Sequence, residues 1–225
     1  MKTVQTRDGS FTCFSEEFKE LYHARNGALE EAFEKYIKPC KIQNNFKILD
    51  IGFGLGYNSA AALHKFKKLK IIGLEKDKEI LKQIPKMEMP DYFQNTFNII
   101  KQVSKTLHYK NSSEIKIIIG DASKTIKDLT EKFDAVFLDP FNFKTNQELW
   151  SLSFIKEIKK RMKLNAILGT YSSAAPVRKT LQEAGFNITE GPKIGSYCTL
   201  ASINLPFELQ EKNQKIVDVF GEVIN

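Results

Sequence analysis

The sequence predicts an α/β fold, a mostly parallel sheet with helices on both faces, and three observations carry that expectation. Short, nearly continuous apolar runs rich in β-branched residues recur along the chain, as strands buried on both faces require. Helical periodicity fills the intervals between them, so each strand leads through a crossover to a parallel neighbour. A glycine-rich loop joins the first run to the first helical interval, where such sheets take their ligands.

In chain order, residues 1–45 precede the sheet, carry a helical pattern from 15 to 38, and are expected to pack over the active site as an N-terminal extension. The strands then follow as FKILDIG (46–52), KIIGLE (70–75), IKIIIGD (115–121), FDAVFLD (133–139) and AILGTYS (166–172). Helical patterns at 56–67, 77–84, 92–109, 123–131, 148–162 and 174–184 separate or follow them. FNITEG (186–191) and YCTLASIN (197–204) lie close together across PKIGS and predict an antiparallel hairpin at the sheet edge. Seven strands closing on a hairpin resemble the Rossmann-like class I methyltransferase arrangement. The expected organisation is therefore an extension over 1–45, one domain over 46–205, and a C-terminal segment 206–225 with a surface helix at 206–221.

Composition narrows the class. At 225 residues and 42% hydrophobic, the chain can bury a full core. No segment approaches the roughly 18 uncharged apolar residues of a membrane helix, and MKTVQTRDGS has no signal-peptide pattern, so a cytoplasmic protein is expected. Cys13, Cys40 and Cys198 are far apart and lack metal-ligand spacing, which predicts neither a disulfide framework nor a metal site. The net charge of +7 suits an anionic partner such as RNA. Nearly all the positive residues are lysines, and their clusters at 65–70 and 156–163 sit on predicted amphipathic helices, where a solvated face is the ordinary explanation.

The glycine loop reads Asp50-Ile51-Gly52-Phe53-Gly54-Leu55-Gly56-Tyr57-Asn58. A dinucleotide fingerprint GxGxxG needs glycine where this chain has Tyr57, which argues against a nicotinamide oxidoreductase. GxGxG is the spacing associated with S-adenosyl-L-methionine. Glu75 ends the second strand, where an acid accepts from ribose hydroxyls, and Asp121 ends the third beside Ala122, where a carboxylate accepts from an adenine amine. Either acid alone is also explained as a helix cap. Together with the loop they predict an adenosyl cofactor.

Asp139 closes the fourth strand in FLDPFNF (137–143), beside the glycine loop. Asp139-Pro140-Phe141 resembles the (D/N)PP(Y/F) motif of amine methyltransferases, with one proline missing. An alkylamine with a pKa near 10.4 pays roughly 4 to 5 kcal/mol for a free lone pair at pH 7. The expectation is that Asp139 orients the amine and accepts its proton, while Phe141, Phe143, Trp150 and Tyr171 form an apolar wall that lowers the amine's pKa. A capping aspartate and core-packing aromatics are the structural alternative.

Longer segments carry a family likeness. Thr6-Arg7-Asp8-Gly9-Ser10-Phe11-Thr12 and Tyr22-His23-Ala24-Arg25-Asn26-Gly27-Ala28-Leu29-Glu30-Glu31-Ala32-Phe33 resemble TxDGSxT and YHSxxGAxxEA of the methyltransferase half of the bifunctional tRNA 5-methylaminomethyl-2-thiouridine biosynthesis protein. The likeness continues through the glycine loop (GFGTGLN there), Glu75-Lys76, Gly120-Asp121-Ala122, FLDPF (FLDGF there), Glu148-Leu149-Trp150, Thr170-Tyr171-Ser172 and Val177-Arg178. It implies methylation of the aminomethyl group on a tRNA wobble uridine in the anticodon loop. Asp139 becomes the amine-facing acid. Gly52, Phe53, Gly54, Gly56, Asn58, Glu75, Lys76, Asp121 and Ala122 become the cofactor shell, with Tyr22 and Gly27 near its methionine end. His23, otherwise a core histidine, joins the candidate substrate contacts.

Two departures matter. No second glycine-rich loop is present for the family's flavin-dependent oxidase half, so a stand-alone methyltransferase is expected, acting on tRNA that already carries aminomethyluridine. The family's basic GFGxKR segment is here Gly191-Pro192-Lys193-Ile194-Gly195-Ser196-Tyr197, which keeps Lys193 and shifts expected tRNA contacts toward Arg178 and other cations. The competing readings are an adenine-N6 or small-molecule amine methyltransferase, an aminopropyl transferase, and a tRNA-binding protein without turnover. Aminopropyl transfer wants several acids around a polyamine channel, and a lone Asp139 argues against it.

Overall fold

The computed structural model describes residues 2–204 and places an eight-stranded mixed sheet at its centre, in a class I methyltransferase-like α/β arrangement. The expected helix at 206–221 lies outside the described residues. The chain begins with β1 (Thr3–Gln5), β2 (Phe11–Ser15) and β3 (Glu20–Leu21), a small antiparallel sheet. A short helix, α1 (Ala28–Glu31), runs on into a π-helical turn over Ala32–Ile37. The main fold then runs β4 (Lys47–Ile51), α2 (Tyr57–Lys65), β5 (Lys70–Glu75), α3 (Lys78–Leu81), α4 (Asp91–Thr106), β6 (His108–Lys110), β7 (Glu114–Ile119) and α5 (Ala122–Thr125). It ends with β8 (Phe133–Leu138), α6 (Leu152–Arg161), β9 (Met162–Thr170), α7 (Ala175–Glu183), β10 (Asn187–Ile194) and β11 (Ser196–Ser202).

The sheet order is β10-β11-β9-β8-β4-β5-β7-β6, with five parallel strands in the middle. From β4 the chain steps outward to β5 and β7, then returns to place β8 on the other side of β4. The carboxyl ends of β4 and β8 therefore meet where strand order reverses, the crevice in which such sheets bind ligands. The predicted hairpin is present as β10 and β11, antiparallel to each other and to β9.

Alternation along β4 explains the two-sided core: Ile48 packs with Tyr36, Tyr57 and Phe97 on one face, Leu49 and Ile51 with Trp150, Phe154 and Ile158 on the other. Each fully buried aliphatic side chain contributes about 1.5 to 3 kcal/mol. Ala60, Ala61 and Ala62 are fully buried, and their small side chains let α2 lie close to the sheet. No helix among the described residues is long and apolar enough to cross a membrane.

Two expectations need correction. The helix expected from 15 to 38 is largely β-structure and turn, with helix only from Ala28. Phe14, Phe18 and Leu21 mimic helical spacing, but Phe18 instead stacks on Phe141 of the main domain, so tertiary packing overrides the local pattern. The helix expected over 92–109 stops at Thr106, where Leu107 turns left-handed at φ 60° and the chain enters β6, an unpredicted eighth strand.

Candidate active site

Asp139 sits one residue beyond β8, and its N–H donates to Ile51 O at 2.9 Å, joining the ends of β8 and β4. Its carboxylate is half-buried at a cavity wall. Tyr36 Oη donates to Oδ1 at 2.7 Å and Asn58 Nδ2 donates to Oδ2 at 2.8 Å. Burial and the nearby charge of Glu31 hold the carboxyl well above the usual carboxylate range, and those two hydrogen bonds only partly offset them. Such a group is a better proton acceptor than a solvated aspartate.

The glycine loop presents bare backbone to the same cavity. Gly52 has φ 78°, and a Cβ there would fall 2.6 Å from the Asp139 carbonyl oxygen. Gly54, at φ 53°, would push a Cβ to 3.3 Å from the Tyr22 ring. Phe53 and Gly56 do not line the cavity: Phe53 is buried, and its ring underpins the loop against Gly56 and Gly73. Asn58 is likewise buried and reaches the site through Asp139. Gly27 begins α1 against Asp8, away from the cavity lining, because Asp8 fills the space beside its α-carbon.

Glu75 faces the loop. Its Oε2 accepts from Gly54 N–H at 2.7 Å and its Oε1 from Asp77 N–H at 2.7 Å. Burial pushes its pKa up to about 6, against the pull of those backbone donors. Each oxygen keeps further acceptor capacity for a hydroxyl. Asp121 does cap α5, with Oδ1 accepting from the Ser123 N–H at 2.9 Å and the Ser123 hydroxyl at 2.8 Å. Among the described residues Oδ2 has only Lys124 at 3.8 Å, so capping and ligand binding are compatible in one side chain. Ala122 and Lys76 also line the cavity, Lys76 beside Glu17 at 3.7 Å.

The turn between β2 and β3 forms the roof. Phe18 stacks on Phe141 with centroids 4.2 Å apart, and Tyr22 meets Phe141 edge-on at 4.8 Å. Tyr22 Oη donates to Asp77 Oδ2 at 2.9 Å, while Glu20 accepts from Asn142 and, at 2.8 Å, from the Thr145 hydroxyl. Phe18, Glu20, Glu31, Lys35 and Tyr36 are the residues that sequence reasoning missed. Glu31 had one visible signal, its place in the YHxxxGAxxEA-like segment; the others come from partners far away in sequence.

Of the four aromatics expected to form a wall, two line the cavity and two do not. Phe141 and Tyr171 line the cavity, and Tyr171 Oη donates to Pro140 O at 3.0 Å. Trp150 is 1% exposed behind them, its indole N–H donating to Phe141 O at 2.8 Å, and Phe143 packs against the other core layer. Both buttress the wall without facing the cavity. Arg178 is engaged by Glu190 at 3.1 Å and Thr199 at 3.0 Å, so it is committed to holding α7 against the hairpin. Lys193 lies over the Tyr197 ring beside a smaller hollow that adjoins the cavity at Asn26, Ile194 and Gly195. His23 lines the cavity but is buried edge-on against Tyr57, with Nε2 unpartnered among the described residues and its pKa lowered to about 4 by burial.

The cavity measures about 780 Å³, enough for a nucleoside-sized cofactor and part of an acceptor. Eight carboxylates line it (Glu17, Glu20, Glu31, Glu75, Asp77, Asp121, Asp139 and Glu148) against two lysines, Lys35 and Lys76. A protein of net charge +7 thus encloses an acidic, cation-accepting site. Bare backbone at Gly52 and Gly54, the oxygens of Glu75, and Asp121 beside Ala122 fit an adenosyl group with hydroxyl and amino donors.

Comparison with known proteins agrees with that fit. Residues 82–203 match the profile of a family described as S-adenosyl-L-methionine-dependent methyltransferase. An uncharacterized protein of Methanocaldococcus jannaschii is 36% identical over 94% of this chain and 62% of its own length. The tRNA 5-methylaminomethyl-2-thiouridine biosynthesis bifunctional protein MnmC of Leptospira borgpetersenii is 27% identical over 91% of this chain, which spans 35% of that protein. The crystal structure of MNMC2 from Aquifex aeolicus superposes with a TM-score of 0.79 at 31% identity, covering 91% of this chain and 70% of that one.

Proposed function

Since the chain belongs to the S-adenosyl-L-methionine-dependent methyltransferase family, we propose that it methylates the primary amine of 5-aminomethyluridine, or its 2-thio form, at the tRNA wobble position. The observation that carries this reading is Asp139, oriented by Tyr36 and Asn58 on a cavity wall shared with the glycine loop. The name of the Leptospira relative supplies the nucleoside.

Gly52, Gly54, Glu75, Lys76, Asp121, Ala122 and Tyr22 would hold the cofactor, which supplies an electrophilic methyl group when bound. Glu75 takes the ribose hydroxyls and Asp121 Oδ2 the adenine amine. Residues 1–45 roof the active site, and the domain beginning at 46 carries the chemistry. The substrate arrives as an ammonium ion, drawn by the surrounding carboxylates. Asp139 takes one proton from it, leaving a lone pair aimed at the methyl group. Its raised proton affinity narrows the gap to the amine's, a gap that would otherwise cost roughly 4 to 5 kcal/mol at pH 7. Phe18, Phe141 and Tyr171 exclude water on one side. The acids on the other side favour the cation, so the base contributes more to deprotonation here than apolar walls do. Positioning supplies much of the remaining rate.

The test is incubation with S-adenosyl-L-methionine and tRNA carrying aminomethyluridine, followed by nucleoside mass spectrometry. Conversion to methylaminomethyluridine is expected; methylated adenine, or binding without turnover, would refute it. A second reading has one observation in its favour. Asp139 is not the only acid at the cavity, so a free diamine or polyamine finds the several carboxylates that such a substrate needs. Methyl transfer from S-adenosyl-L-methionine to an added polyamine, or aminopropyl transfer to it when the decarboxylated cofactor is supplied, with no transfer to tRNA, would select it.

A further inference from the structure

The π-helical turn and the residue before it carry an ion pair that enters the chemistry above only through the charge of Glu31, which raises the proton affinity of Asp139. Lys35 is 3% exposed, and its Nζ donates to Glu31 Oε1 at 2.9 Å, with Ser196 Oγ at 3.5 Å. Glu31, Lys35 and Ser196 all line the cavity that holds Asp139. A buried ion pair adds little to stability, because desolvation consumes most of the attraction, and apolar residues of similar volume often serve as well or better. Folding alone therefore gives no reason for this pair at a ligand-facing wall.

The backbone brings the pair and the base's partner together. Lys38 N–H donates to Phe33 O, five residues back, at 3.0 Å. In such a widened turn, residues four and five positions along both lie over the starting residue. Lys35 thus reaches Glu31, while Tyr36, next in sequence, reaches Asp139.

The unused valences of the pair form a pattern. An ammonium has three donors, of which Glu31 takes one and Ser196 a second at long range. Glu31 Oε2 has no hydrogen-bond partner among the described residues. One charged donor and one charged acceptor therefore stand side by side on the wall. Uracil presents the complement, an N3–H donor flanked by carbonyl acceptors. A polyamine presents donors only and leaves Lys35 unmatched.

We propose that Glu31 and Lys35 are specificity residues that read the base edge of the acceptor, Glu31 accepting from the uracil N3–H and Lys35 donating to a flanking carbonyl, while the C5 substituent extends to Asp139. This rests on the reading of aminomethyluridine as substrate.

The experiment compares wild type with a Glu31→Leu, Lys35→Met double variant, which removes both charges and avoids stranding either one. Substrates are an anticodon stem-loop RNA bearing 5-aminomethyluridine and the same RNA methylated at N3 of that uridine. Wild type should prefer the first by about tenfold or more in kcat/KM, the scale of a hydrogen bond to a charged group. The double variant should keep its cofactor Kd and melting temperature, raise KM for the unmodified-N3 RNA about tenfold, and lose the discrimination. Equal discrimination in both proteins would overturn the assignment while leaving the substrate reading intact. Wild type that binds cofactor and methylates neither RNA would overturn the substrate reading itself, and this assignment with it.

Discussion

Tyr36 donates to Asp139 across 2.7 Å and 103 positions of sequence, so the N-terminal extension supplies the hydrogen bond that aims the proposed base. The same hydroxyl accepts from the Tyr171 N–H at 3.2 Å, which fixes it between two elements. Tyr36→Phe keeps the packing against Phe137 and removes only the donor. Turnover should fall by about 10- to 100-fold with cofactor affinity unchanged. The hydrogen bond lowers the Asp139 pKa, so its loss should also move the acid limb of the pH–rate profile upward. An unmoved limb would reduce Tyr36 to a packing residue.

Asp139→Ala should abolish methyl transfer while leaving the cofactor Kd within about threefold, since no backbone donor of the glycine loop is spent on that carboxylate. Calorimetry beside a single-turnover assay separates the two effects. Parallel loss of binding and turnover would assign Asp139 to the cofactor instead.

Cofactor affinity should weaken as pH falls through about 6, where Glu75 takes up its proton and ceases to accept from two hydroxyls. The sign for folding is opposite. In the ligand-free protein the raised pKa lets the folded chain keep a proton that the unfolded chain has lost, from about 4.5 to about 6, so Glu75 lowers stability as pH rises through that window. Titration calorimetry across pH 5 to 8, on wild type and Glu75→Gln, checks this; a pH-independent Kd in wild type would refute it.

His23 acts in the contrary direction on stability. Its folded pKa is about 4 against an ordinary 6.5, so the unfolded chain binds a proton that the folded chain refuses. Stability is lost as pH falls from about 6.5 toward about 4, and His23→Phe should flatten that loss in urea titrations. A variant with the same acid slope as wild type would rule His23 out as its source.

Gly52→Ala should destabilise the fold by about 2 kcal/mol or more, because the new methyl group meets the Asp139 carbonyl oxygen at 2.6 Å on a backbone already at φ 78°. Chemical denaturation measures it. Cofactor binding should suffer as well, since the clash displaces the loop from the end of β8.

The sequence by itself determined the alternating fold, the order of the central strands along the chain, the glycine loop and the three acids that follow strand ends. These features are local: strand burial shows as unbroken apolar runs, and a ligand loop shows as glycine between a strand and a helix. Two expectations differ from where the structure places the residues. The spacing of Phe14, Phe18 and Leu21 suits a helix, yet Phe18 finds Phe141 and the segment becomes a hairpin roof. Phe143 and Trp150 read as cavity aromatics, yet the packing of the other core layer turned both away from it. Only the tertiary structure decided which acids share the cavity and which hydroxyl aims Asp139. Glu20, Glu31 and Tyr36 lie more than 100 residues from Asp139 in the chain, and no local periodicity encodes a contact made by folding one element over another.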